Sequence, residues 1–153
     1  MAHLQYSSIL PLPRGQVFDY VSDLRRLPTF LPENFQLAVK RAPPRIRLGS
    51  EYEYTLARGG FKNLVWMVRI NAFEQDKLFS ELQVMGVFDF WQNIYRFEDH
   101  GEGLTKLTST VEYNMPFGLL GRLADDLLVR RDLQRIFRLA HENLRAQLVR
   151  QQT

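Results

Sequence analysis

The sequence predicts an α+β domain in which a curved, seven-stranded antiparallel sheet wraps around one long C-terminal helix, with two short helices after the first strand. Three observations lead there. Residues 34–115 hold six stretches of alternating apolar and polar residues separated by hairpin-length breaks, the pattern of consecutive antiparallel strands. Residues 14–30 change to the 3–4 spacing of short helices, and residues 117–149 carry a long, mostly apolar helical stripe. A helix is only about 10 Å across, so a seven-stranded sheet must curl to be covered by one. Curling leaves space between sheet and helix, and that space is a candidate pocket.

The first strand, residues 3–12, ends in Pro11-Leu12-Pro13, which cannot continue a ladder. Val17, Tyr20, Val21 and Leu24 then recur at helical spacing. A second helical piece from Leu24 to Phe30 is bracketed by Pro28 and Pro32, and helices this short hold only against a sheet. Phe35, Leu37 and Val39 alternate until Pro43-Pro44. Tyr52, Tyr54 and Leu56 alternate with Glu51, Glu53 and Thr55, and Gly59-Gly60 reads as a hairpin turn. Leu64, Trp66, Val68 and Ile70 share one face of the next strand. Strands at 78–85 and 88–97 are parted by Gly86, and a polar loop covers 99–103. The last strand, 104–113, puts Leu107, Ser109, Val111 and Tyr113 on one face. After Pro116 the closing helix carries Leu120, Leu123, Leu127, Ile136, Phe137, Ala140, Leu144 and Leu148 along its stripe. Residues 1–149 form one domain and 150–153 a frayed tail.

Composition narrows the function classes. The chain has 153 residues, 45% of them hydrophobic, which is enough for one real core. No run of ~18 apolar residues is present to cross a membrane. The start lacks a basic segment followed by an apolar run, so no secretory signal is expected. Cysteine is absent, which removes disulfides, thiolate nucleophiles and Cys-based zinc sites and fits a cytoplasmic setting. His3, His100 and His141 are scattered with no metal-ligand spacing, and no glycine motif cradles a phosphate, so neither metal nor nucleotide cofactor is expected. The net charge is +3. Arg130, Arg131, Arg135 and Arg138 group on the last helix, with Asp125, Asp126 and Asp132 interrupting them. This is the pattern of a solvated face, or of a patch for a macromolecular partner. Nucleic acid is not expected as a partner. Peripheral membrane contact is open, as is the choice of monomer or homodimer.

The inward strand faces supply the candidate pocket wall: Tyr52, Tyr54, Leu56, Trp66, Val68, Gln83, Trp91, Asn93, Ser109 and Val111, joined by Leu123, Leu127 and Phe137 from the helix. An aromatic wall with a few polar groups is the usual make-up of a small-ligand site. The polar members need one another, water or a ligand, because an unpartnered buried polar group costs about 1–3 kcal/mol. Glu81 is the one acid on that inner face. In an apolar pocket its pKa would rise, making it and Tyr95 the candidate catalytic pair. The alternative places Glu81 outward or against an arginine.

Several segments carry a family resemblance. They are Val17-Phe18-Asp19-Tyr20-Val21-Ser22-Asp23 with Leu27-Pro28-Thr29-Phe30-Leu31-Pro32, then Arg47-Leu48-Gly49-Ser50, then the Phe79, Glu81, Gln83 strand closed by Gly86. The strand of Trp91, Asn93, Tyr95 and Phe97 follows, then Gly103-Leu104-Thr105 and Met115-Pro116-Phe117-Gly118-Leu119-Leu120-Gly121. In order and spacing they resemble the START-related superfamily, often called SRPBCC, which includes the birch-pollen allergen group. The polyketide cyclase/dehydrase and coenzyme-Q-binding branches are the most similar. The resemblance covers residues 3–148 and implies the helix-grip fold and an internal cavity for an apolar molecule. Asn93 stands where relatives often have histidine and Ser109 where many have aspartate, which leaves no titratable group at either position.

Three functions follow as expectations. The first is a carrier or presenter of a lipid, polyketide, quinone or similar molecule. The second is a cyclase or dehydratase using Glu81 with Tyr52, Tyr54 and Tyr95. The third is a protein- or ribosome-binding module using the arginine face. Arg14, Arg26 and Arg41 are candidates for meeting an anionic head group at the pocket mouth.

Overall fold

The computed structural model of the chain describes residues 1–58, 61–116 and 129–152. The strands are β1 (Ala2–Leu10), β2 (Gln36–Arg41), β3 (Glu51–Arg58), β4 (Phe61–Glu74), β5 (Leu78–Met85), β6 (Phe90–Asp99) and β7 (Thr105–Asn114). They form one sheet in the order β1-β7-β6-β5-β4-β3-β2, every neighbouring pair antiparallel. Between β1 and β2 lie α1 (Arg14–Ser22), a 3-10 turn (Leu24–Arg26) and α2 (Leu27–Phe30). The last described element is α3 (Arg130–Gln151). This is the helix-grip arrangement, strand for strand as the alternation predicts. The expected Gly59-Gly60 turn and the first part of the closing helix, including Leu120, Leu123 and Leu127, lie outside the described residues.

Bulges supply the curl. Ladder register shifts between Val39 and Arg41, between Leu56 and Arg58, and at two places along β4, Met67/Val68 and Ile70/Ala72. An extra residue on one strand of a pair bends it and increases its twist. The 14-residue β4 carries two such bends and turns the sheet toward α3.

One end of the interior is filled from below by α1. Phe18, buried completely, meets Phe73, Phe79 and Phe97 edge-on at centroid distances of 6.0, 6.0 and 5.0 Å. A second apolar group sits nearer the start of α3 and contains Leu4, Trp91, Val111, Tyr113 and Leu133, with Phe88 and Phe137 packed on it. Side-chain hydrogen bonds fasten α3 to the short helices. Asn143 donates to the Phe30 carbonyl at 2.8 Å, Gln147 donates to the Thr29 carbonyl at 3.1 Å, and the Tyr20 hydroxyl donates to Gln147 at 2.7 Å. Among the described residues no helix is long and apolar enough to cross a membrane.

Candidate functional site

Sheet and helix do not close on each other. Between them lies a cavity of about 590 Å3, walled by residues of α1, α2, the sheet and α3. Its surface is mainly apolar, from Phe30, Leu56, Leu107, Ile136 and Leu144 among others. Both tryptophans of the chain, Trp66 and Trp91, stand in the wall, with ring centroids 5.9 Å apart and edge-to-face. Phe88 and Phe137 pack on Trp91 at 4.8 and 6.3 Å.

Besides Asp132 on α3, polar groups enter the described wall at two places. The first is on β5 and β6, where Glu81 and Asn93 face each other across the ladder. The Tyr95 hydroxyl, on the same face of β6, donates to Glu81 Oε1 at 3.2 Å. Burial pushes the Glu81 carboxyl up to about 7, against the opposing pull of hydrogen bonds from Tyr95 and Asn93. Burial also drives the Tyr95 hydroxyl well above its ordinary range, so Tyr95 stays protonated and donates. Glu81 therefore faces inward, held by a tyrosine and an amide rather than by an arginine. Its Oε2 and the Asn93 Oδ1 are buried without a hydrogen-bond partner among the described residues.

The second polar place joins α3 to β1 and β7. The His141 ring accepts or donates at both nitrogens: Nδ1 lies 2.5 Å from Ser8 Oγ and Nε2 lies 3.0 Å from Ser109 Oγ. Tyr6 packs edge-on against the ring at 4.8 Å. Burial lowers the His141 pKa to about 4, so the ring is neutral at physiological pH.

Of the residues expected to wall the pocket, Leu56, Trp66, Trp91, Asn93, Ser109 and Phe137 do so, together with Glu81 and Tyr95. Tyr52, Tyr54, Val68 and Val111 lie on the expected inward face but outside the cavity wall, because other side chains fill the interior over them. The Tyr54 hydroxyl donates to the Leu24 carbonyl at 3.2 Å, and burial raises both tyrosines, Tyr52 to about 12. Gln83 is also outside the wall. Its amide donates to the Phe88 carbonyl at 2.8 Å and braces the chain between β5 and β6. Leu123 and Leu127 fall outside the described residues. Arg14, Arg26 and Arg41 do not reach the cavity, and Arg26 stacks over the Tyr20 ring at 4.2 Å.

His141 is the residue that sequence reasoning passed over. It lies four positions after Phe137 and three before Leu144, squarely on the apolar stripe, and that periodicity marks it as inward. Among the described residues, no group of histidine and carboxylate side chains is placed to hold a metal ion. Arg131, Arg135 and Arg138 are exposed on the outer side of α3, beside Leu4, Gln5 and Tyr6 of β1 and away from the cavity.

Solved structures share this architecture from end to end. The TTHA0849 protein of Thermus thermophilus aligns with a TM-score of 0.79 at 18% identity, covering 99% of this chain and 100% of that one. A norcoclaurine synthase point mutant of Thalictrum, solved with a transition-state analogue, aligns with a TM-score of 0.70 at 12% identity over 99% and 96% of the two chains. Ara h 8.0201 aligns with a TM-score of 0.67 at 13% identity over 97% of each. At these identities the likeness is one of fold. No curated protein matches the sequence. The sequence itself matches the family described as polyketide cyclase / dehydrase and lipid transport over residues 1–149, and the chain belongs to that family.

Proposed function

We propose that this protein binds one small, largely apolar molecule between its sheet and α3, to carry it or to present it to a partner. The observation that supports this reading most is the cavity itself. Its volume of about 590 Å3 suits a small molecule, and its described wall is mainly aromatic and aliphatic with a few polar groups. The driving force needs no catalytic group. A ligand burying roughly 300 Å2 of apolar surface gains about 7 kcal/mol before entropic costs. The family description spans both transport and catalysis and agrees with this chemistry.

The two tryptophans make the test direct, since both stand in the cavity wall. Titration with an apolar fluorescence quencher of suitable size should change their emission saturably. Ala140, on the cavity side of α3, is the site for a plug. Ala140→Trp should keep the fold and the melting transition while abolishing saturable binding. Unchanged binding in that variant would remove the reading.

The enzymatic reading has one specific observation in its favour, the buried Glu81 poised near neutrality. A carboxyl with a pKa of about 7 is suited to general acid–base chemistry such as enolate formation followed by loss of water. Tyr95 and the Asn93 amide would hold it in place. Tyr54 is engaged with Leu24 and Tyr52 lies off the wall, so neither fits the proton-transfer role. On this reading Glu81→Gln lowers turnover by roughly 10²–10⁴-fold. An unaltered rate would exclude it.

A further inference from the structure

The described cavity wall contains carboxylates and no cationic side chain. Glu81 and Asp132 line it, His141 is neutral, and neither lysine nor arginine is among its described residues. The unpartnered oxygens point the same way. Asn93 Oδ1 can only accept a hydrogen bond, and Glu81 Oε2 accepts whenever the group is ionised. The two residues are direct cross-strand neighbours, so one end group of a bound molecule can address both. The donors beside them, the Tyr95 hydroxyl and the Asn93 amide, are already turned to Glu81. Next to this acceptor pair on β6 stands Trp91, with Trp66, Phe88 and Phe137 around it.

We propose that the ligand has an aromatic-sized apolar body ending in a hydrogen-bond donor, a hydroxyl or an amine, which meets Glu81 and Asn93, and that carboxylates and other anions are rejected. This deepens, and rests on, the reading of the cavity as a ligand site. A donor end group gives these two buried oxygens the hydrogen bond that no described side chain supplies. An anion would sit beside Glu81 with no counter-charge among the described wall residues, and an unpaired buried charge is among the most unfavourable arrangements in a protein. The neutral indole N–H groups of Trp66 and Trp91 also have no partner among the described residues and suit an uncharged acceptor, such as a ketone or ether oxygen, along the body of the molecule.

Four probes of matched size separate these terms by isothermal titration calorimetry: naphthylmethanol, protonated naphthylmethylamine, naphthoate, and ethylnaphthalene, which has no polar end. The alcohol and the amine should each bind about tenfold or more tightly than ethylnaphthalene, and naphthoate about tenfold more weakly. As the pH falls through 7, the amine should lose affinity and naphthoate should gain it. Glu81→Gln should remove both slopes, and Asn93→Leu should narrow the gap between the alcohol and ethylnaphthalene. Naphthoate binding as well as the alcohol, or ethylnaphthalene matching it, would overturn the assignment of a donor end group while leaving the cavity a binding site. Failure of all four to bind would instead overturn the binding reading itself.

Discussion

Ser109 Oγ and His141 Nε2 lie 3.0 Å apart and join β7 to α3 at the cavity wall, while Ser8 engages the other ring nitrogen from β1. A neutral imidazole has one donor and one acceptor nitrogen, and hydroxyls complement both. The ring therefore works as a pin between the sheet and the helix. Its folded pKa of about 4 lies below the ordinary 6.5. Between those values the unfolded chain binds the proton more readily, so stability from this group is complete above pH 6.5 and is lost as pH falls toward 4. The full effect is on the order of 3 kcal/mol. In Glu81→Gln, where the opposing group is absent, urea unfolding should show stability rising with pH across this window. A flat profile would mean that His141 is not buried neutral.

Glu81 gives the opposite slope. Its folded pKa of about 7 lies above the ordinary 4.5, so its contribution is full below pH 4.5 and is lost as pH rises through 7. The two windows overlap and the two shifts are similar in size, so the wild type should show little pH dependence between pH 4.5 and 6.5. Asp23 does not disturb this balance, because hydrogen bonding to Arg25 moves its titration below 3.8. His141→Gln should expose the Glu81 slope, with stability falling as pH rises over the same interval. If both single variants stay flat, neither group carries the burial described.

Alternation was enough to read the sheet and to choose its inner face. Tyr52, Tyr54, Val68 and Val111 point inward as predicted, yet they do not wall the cavity. Periodicity fixes which face a side chain takes. It does not say which part of that face is filled and which is hollow. That depends on where α1 and the short helices pack, and on bulges such as Ile70/Ala72 that no local pattern marks. Gln83 shows a second limit: a polar residue on an inward face can be committed to a neighbouring turn rather than to the interior. His141 was legible on the stripe. What the sequence withheld was its pair of serine partners, 133 and 32 positions away.

Gly86 lies directly against that same Gln83. A Cβ at this position would collide with the Gln83 amide and come within 2.8 Å of Trp66 Cδ1. Gly86→Ala should break the Gln83–Phe88 brace and cost about 1–3 kcal/mol. It should also shift the emission of Trp66. Denaturant melts with tryptophan fluorescence check both, and a variant matching wild type in stability and spectrum would show that the chain there yields freely.

Phe18 separates stability from binding. It anchors α1 among Phe73, Phe79 and Phe97 and does not line the cavity. Phe18→Ala should cost about 3–5 kcal/mol through the hole it leaves. Ligand affinity of the folded fraction should be unchanged, as measured by titration well below the melting temperature. A large fall in affinity would place the ligand deeper under α1 than the cavity extends.

Asn143 and Gln147 fasten one wall of the cavity, a candidate exit for a ligand. Leu27, Phe30 and Leu31 line the cavity from α2 and the chain just after it, and α2 is fastened to α3 by the Asn143 bond to Phe30 and the Gln147 bond to Thr29. A four-residue helix has little stability of its own, so these bonds set how often that wall opens. Each is worth about 1 kcal/mol. Asn143→Ala should therefore speed release of a bound probe by about fivefold in stopped-flow displacement, with a smaller effect on overall stability. Adding Gln147→Ala removes the tie to Tyr20 as well and should accelerate release further. Release rates unchanged in both variants would mean that the ligand leaves past another part of the rim, beside Val87 and Met115.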